Sequence, residues 1–94
     1  MAAPPGAAVL DGDAVLDVVR RACAVVLEVD PAGVARATRF ADDLGADSLA
    51  LVEIVEVTEE ELSARARRPL RIEDEDLDAL VTVGDAVDHA LALL

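Results

Sequence analysis

A serine, Ser48, stands among acids and aliphatic residues in the stretch ADDLGADSLALVEIVEVTEEEL, Ala41 to Leu62. Nucleophilic catalysis at a serine needs a general base and an oxyanion site. The sole histidine, His89, lies far downstream beside acids, and no G-x-S-x-G elbow surrounds Ser48. A hydrolase is therefore a poor reading of these residues. Metal chemistry is no better served. Cys23 and His89 form no ligand cluster, and the acid runs DD and EDED lack calcium-loop spacing. Cys23, the only cysteine, can form no internal disulfide and reads as a small core side chain. His89 reads as a partly exposed helix residue. The residue types point to no catalytic group and no metal.

What the serine can do depends on its place. Ser48 follows Gly45, which permits a positive φ, and opens an amphipathic segment. Two readings are open. In the simpler one, Ser48 or Asp47 is only the cap of a helix. In the other, an exposed hydroxyl at a helix start takes a covalently attached phosphate, because free N–H groups and the positive dipole end favour an anion there.

The elements that position Ser48 follow from periodicity. Val15, Val19, Ala22 and Val26 recur at helical spacing after Asp11 or Asp13, either of which can cap. That helix should stop near EVDP, with Asp30 and Pro31 starting a further short turn. Ala32 to Asp47 has no clear period; Phe40 and Leu44 are its candidate anchors to the core. The spacing predicts a second helix over Ser48 to Leu62, with Leu51, Ile54, Val55, Thr58 and Leu62 on one face. Glu53, Glu56 and Glu60 form a stripe on the opposite side, with Leu49 at its serine end. Asp47 to Leu62 holds six acids and no base. The sign then reverses in SARARRPLRI, where Arg65, Arg67, Arg68 and Arg71 supply half of the chain's positive charge and Pro69 forbids a helix. EDEDLDAL, Glu73 to Leu80, suits a short helix with Leu77 and Leu80 inward. Thr82 and Asp85 suit a capping box for a last helix, whose apolar face is Val83, Val87, Ala90, Leu91 and Leu94. The fold class is all-α: a small four-helix bundle of three main helices and one short one. Met1 to Ala8, rich in proline and glycine, reads as loose, giving a tail over residues 1–10 and one domain over 11–94.

Composition narrows the partners. The 94 residues carry a net charge of −12, all eight bases are arginine, and Phe40 is the one aromatic residue. Such an acidic chain is repelled by phosphate backbones, which argues against nucleic acid, and it suits encounter with basic proteins. No apolar run reaches membrane-spanning length and no signal peptide is evident, so the expectation is a cytoplasmic monomer without a membrane partner.

DDLGADSL, Asp42 to Leu49, followed by VE and EEEL, resembles the signature of the acyl carrier protein family. VLEVDPAGV resembles the end of that family's first helix, TVGDAVDHAL the start of its fourth, and EDEDLDAL sits where its short third helix belongs. The resemblance runs over about residues 11 to 94. It implies that Ser48, flanked by Asp47 and Leu49, carries 4'-phosphopantetheine from coenzyme A through a phosphodiester. It implies a carrier of thioester intermediates and not an enzyme, served by a phosphopantetheinyl transferase and by ketosynthase, acyltransferase or other biosynthetic partners with basic docking patches. Those partners would meet Leu49, Glu53, Glu56 and Glu60. It also implies an acyl cleft, expected near Val52, Val55, Leu62, Ile72, Leu77 and Val83. Ala50 replaces a common acid, Glu56 a common apolar residue, and SARARRPLRI a shorter link. These departures point toward a dedicated polyketide or other specialised-metabolite carrier, with fatty-acid synthesis as the alternative. GADS in place of Gly-Gly-x-Ser favours an acyl over a peptidyl carrier. A more distant alternative is an unmodified acidic interaction module with the same fold.

Overall fold

The computed structural model describes residues 10–94. The expected loose tail lies outside the described residues except for Leu10, which packs against the core. Among the described residues three α-helices follow in order, α1 (Gly12–Leu27), α2 (Ser48–Ala66) and α3 (Val83–Leu93), with 3-10 turns at Pro31–Gly33 and Asp74–Ala79. The described residues contain no strand, only one antiparallel bridge between Arg39 and Thr82. The short helix expected over Glu73 to Leu80 is therefore a 3-10 segment; of its two expected inward residues, Leu80 is buried and Leu77 half-buried.

Asp11 is the cap of α1, its carboxylate accepting the Ala14 N–H at 2.9 Å. Val15, Val19 and Ala22 are buried as the spacing requires, joined by Val18 and Cys23, while Val26 is half-buried. The helix does stop near EVDP, but at Glu28, which turns left-handed (φ 56°) and donates its N–H to the Ala24 carbonyl. Asp30 then caps the turn at Pro31, accepting from Ala32 N at 2.9 Å.

α2 runs one turn further than its expected end at Leu62. Ser63 to Ala66 stay helical, and Arg67 closes the helix in the left-handed region (φ 57°) with its N–H on the Ser63 carbonyl. The Ser63 hydroxyl also accepts the Leu70 N–H at 2.9 Å, so the chain reverses before Pro69 can interfere. Ile54, Val55, Thr58 and Leu62 are buried against the core. Thr58 satisfies its buried hydroxyl by donating to the Ile54 carbonyl at 2.8 Å. The arginines beyond are exposed, yet two of them are engaged within the molecule. Arg65 pairs with Glu61, which Arg21 also reaches from α1, and Arg68 donates to the Leu93 carbonyl at 2.9 Å at the end of α3.

α1 packs on both α2 and α3 and so forms the spine of the bundle. α3 begins with the expected capping box. Asp85 accepts from Thr82 N and Val81 N, and these bonds, the Thr82 N–H foremost, hold its carboxyl below the usual carboxylate range. That contribution is present above the ordinary carboxylate pKa and fades as pH falls through the lowered value.

The long connection after Pro31–Gly33 is fastened to the head of α3. Val83 N donates to Thr38 O and Gly84 N to Arg36 O, each at 2.8 Å, and Phe40 N donates to Val81 O at 3.1 Å. Phe40 is buried beneath this seam, and Leu44 is half-buried. Gly84 is needed for the approach. A Cβ there would stand 3.0 Å from the Arg36 carbonyl oxygen. Neither backbone can retreat without losing the hydrogen bond between them. Gly84→Ala should therefore cost about 1–3 kcal/mol in denaturant unfolding, despite alanine's better helix propensity.

Cys23 is fully enclosed by the core. Burial pushes its thiol from 9.0 up to about 11. The folded value lies above the unfolded one, so its contribution is complete below pH 9 and is lost as pH rises toward 11. The melting temperature should fall across that window, and less so in Cys23→Ala. Iodoacetamide at neutral pH should leave the native thiol untouched and alkylate it in urea.

Candidate functional site

The choice between cap and attachment point turns on which residue caps α2. Asp47 does: its backbone is extended (φ −82°, ψ −178°) and its carboxylate accepts the Ala50 N–H at 2.8 Å. Leu51 N donates to the Asp47 carbonyl at 2.9 Å. Ser48 is the first residue of the helix itself, exposed, and its hydroxyl makes no hydrogen bond among the described residues. Capping therefore does not explain Ser48.

The approach to Ser48 is a tight loop. Ala46 N donates back to Phe40 O at 2.8 Å, Gly45 N to Ala41 O at 3.0 Å, and Gly45 takes a φ of 67°. Arg39 N is held by the Asp43 carboxylate, while the Arg39 guanidinium pairs with Asp42 at 3.2 Å. Buried Ala46 and Phe40 anchor the loop, and the serine is lifted clear at its end. The N–H groups of Ser48 and Leu49 donate to no backbone acceptor among the described residues. An exposed hydroxyl with free N–H groups beside it is what an attached phosphodiester requires.

A cavity of about 260 Å³ opens beside the serine, walled by Phe40, Leu51, Leu80 and Val81 and edged by Arg39 and Asp47. One turn along α2, a second cavity of about 330 Å³ lies between that helix and the segment Pro69 to Leu77. Val52, Val55, Ile72 and Leu77, four of the residues expected at a cleft, line it. Leu62 and Val83 do not. Both are sealed in the core, Leu62 at the far end of α2 and Val83 where α3 meets the connection. Glu59, which sequence reasoning did not single out, fastens the outer wall: its carboxylate accepts the Ile72 N–H. An acid in a run of three gives no sign of such a role. Arg39 and Val81, at the first cavity, were equally silent.

The acids of α2 divide into two groups. Glu59 and Glu61 are engaged by Ile72 N and by Arg21 and Arg65. Glu53, Glu56 and Glu60 are exposed and have no ion-pair partner among the described residues. Leu49, at their serine end, is 67% exposed. His89 contacts Asp76 at 3.4 Å, away from the serine's cavity lining. No group of three metal-ligating side chains occurs among the described residues, and no described helix is long and apolar enough to cross a membrane.

Comparison with known proteins agrees with this geometry. The family model described as "Phosphopantetheine attachment site" matches residues 17–90. The acyl carrier protein of Wolinella succinogenes is 36% identical over 76 residues, covering 81% of this chain and 92% of that one. In fold, the chain is similar to the acyl carrier protein of Enterococcus faecalis, with a TM-score of 0.67 and 28% identity over 90% of this chain and all of the other. A family model over residues 17–90 and these two likenesses have one meaning: the chain belongs to the acyl carrier protein family, a carrier rather than an enzyme, whose cofactor is covalently bound 4'-phosphopantetheine.

Proposed function

We propose that Ser48 is the attachment point and that residues 11–94 form the carrier domain. The observation that carries this reading is the free, exposed hydroxyl of Ser48 in the first turn of α2, where Asp47 has taken over the capping role. The bound arm supplies a terminal thiol for thioesters. The protein's part is to hold Ser48 Oγ outward for transfer, to offer N–H groups to the phosphodiester, and to present Leu49 to partners. A tether of this kind raises the local concentration of an intermediate at each active site it visits. Brief, charge-steered contacts suit such a shuttle.

The finer reading is a cytoplasmic, monomeric carrier for polyketide or another specialised metabolite. The extended α2, the basic segment after it and the acidic Glu56 support a dedicated partner set. The partners are a phosphopantetheinyl transferase and acyl-transferring or condensing enzymes with basic patches, docking on Leu49, Glu53, Glu56 and Glu60. Val52, Val55, Ile72 and Leu77 receive the acyl chain. The test is mass spectrometry after incubation with coenzyme A, magnesium and a broad-specificity transferase. One phosphopantetheine per chain, mapped by proteolysis to the peptide containing Ser48, is expected; a stoichiometric product at another residue would overturn the assignment.

A further inference from the structure

The cavity beside Ser48 has an unbalanced rim. Among the described residues that line it, Asp42, Asp47 and Asp78 are acids and Arg39 is the one base. Arg39 starts from a fixed root. Its N–H is held by the Asp43 carboxylate at 2.8 Å, and its carbonyl accepts from Asp43 N at 3.0 Å and Leu44 N at 3.1 Å. It also forms the bridge to Thr82 across the seam. These are backbone bonds that other side chains would leave intact, so the fold does not account for an arginine here. The side chain is held far more loosely. Among the described residues the guanidinium meets only the Asp42 carboxylate, at 3.2 Å, and both partners are mostly exposed. An exposed pair of that kind contributes little and exchanges readily. Asp47, the acid next to the serine, is already occupied by Ala50 N.

We propose that Arg39 is a positioning residue for the prosthetic arm, and that its guanidinium exchanges Asp42 for the phosphodiester on Ser48. Attachment adds one negative charge to a rim that already carries three carboxylates. A guanidinium offers a planar fork of N–H donors that matches two phosphate oxygens, and such charge-assisted pairs are stronger than a single-point contact. The phosphodiester is gripped from two sides, by the N–H groups at the head of α2 and by Arg39 across the cavity. This grip holds the root of the arm at the cavity mouth. Asp42 loses its partner in the same step, so the loaded chain shows one more unpaired carboxylate beside the serine than the unloaded chain does. The inference rests on Ser48 carrying the arm.

The experiment compares the full chain before and after loading, with loading at Ser48 verified by mass, in the parent and in Arg39→Gln, Arg39→Lys, Asp42→Asn and Arg36→Gln. Arg36→Gln removes the same charge from a residue that pairs with Asp88 on α3 and lines neither cavity. The readouts are the phosphorus-31 resonance of the phosphodiester and the change in melting temperature on loading at low salt. In Arg39→Gln the resonance should leave its parent position, and loading should lower the melting temperature by about 3 °C relative to its effect on the parent. Arg36→Gln should match the parent in both. Arg39→Lys, which keeps the charge without the fork, should restore the melting behaviour but not the resonance. Asp42→Asn removes the competing carboxylate, so loading should raise the melting temperature more than in the parent. Should Arg39→Gln not fold, the Arg39 Nε–H resonance of the parent carries the test, because it should shift on loading. A phosphorus resonance and a loading effect that are equal in the parent, Arg39→Gln and Arg36→Gln would overturn the proposal, as would an Nε–H resonance that loading leaves unmoved. Failure of the parent to load at Ser48 would instead overturn the carrier reading itself.

Discussion

Ser48→Ala should abolish phosphopantetheine loading completely and leave the fold as it is. The two halves of this expectation have separate physical grounds. Loading is lost because the oxygen that bonds to phosphorus is gone, and no other hydroxyl shares its setting. Thr38 accepts the Ala35 N–H, Ser63 is engaged with Leu70, Thr58 is buried on Ile54 O, and Thr82 is committed to the capping box. Stability is kept because the Ser48 hydroxyl has no partner to lose and alanine is a good helix former; unfolding should shift by less than about 0.5 kcal/mol. Asp47→Ala is the informative contrast. Removing the carboxylate that accepts Ala50 N should cost about 1 kcal/mol while leaving the hydroxyl in place. Mass spectrometry and urea titration of the two variants separate attachment from capping. Loading that persists in Ser48→Ala would overturn the assignment.

Reversing two exposed charges should have the next largest effect. Glu53→Lys with Glu56→Lys raises the net charge of −12 by four. Neither side chain has an ion-pair partner to lose among the described residues, so the fold should hold or become slightly firmer as like-charge repulsion falls. The rate of Ser48 loading at low salt should drop by about tenfold or more, because steering toward a basic patch acts on association. Salt should slow the parent more than the double variant, since screening removes an attraction that only the parent has. The check is loading rate against ionic strength. Equal rates with equal salt slopes would mean that the stripe is only a solvated helix face.

The parts of this structure legible in the sequence are those where one residue type has one physical job. Valines at helical spacing marked α1, Asp30 before Pro31 marked a turn, and Thr82 with Asp85 marked the start of α3. The endings were less legible. Glycine is the usual sign of a left-handed stop, and here Glu28 and Arg67 take that conformation instead. The spacing ends α2 at Leu62, a turn early, because the apolar pattern gives way there to charge while Ser63 and Arg67 set the actual stop. At the site, helical spacing marked the exposed acidic face, whereas Ser48 stood out only through the resemblance of DDLGADSL to a family signature. The cavity walls could not be read, because they depend on residues far apart in the chain. Leu62 and Val83 share the aliphatic character of Val55 and Ile72; all four are buried in the core, and only packing leaves the second pair at a cavity wall. Glu59 differs from Glu60 by one position, yet one holds Ile72 and the other faces solvent.

The seam between the long connection and the head of α3 also dictates an order of events during synthesis. The loop that lifts Ser48 outward hangs from Thr38 and Phe40, and their hydrogen-bond partners, Val83 and Val81, are made only after all of α2 has been synthesised. A nascent chain that ends before Thr82 has the serine but not the frame that presents it. Presentation of the serine is therefore coupled to completion of the bundle.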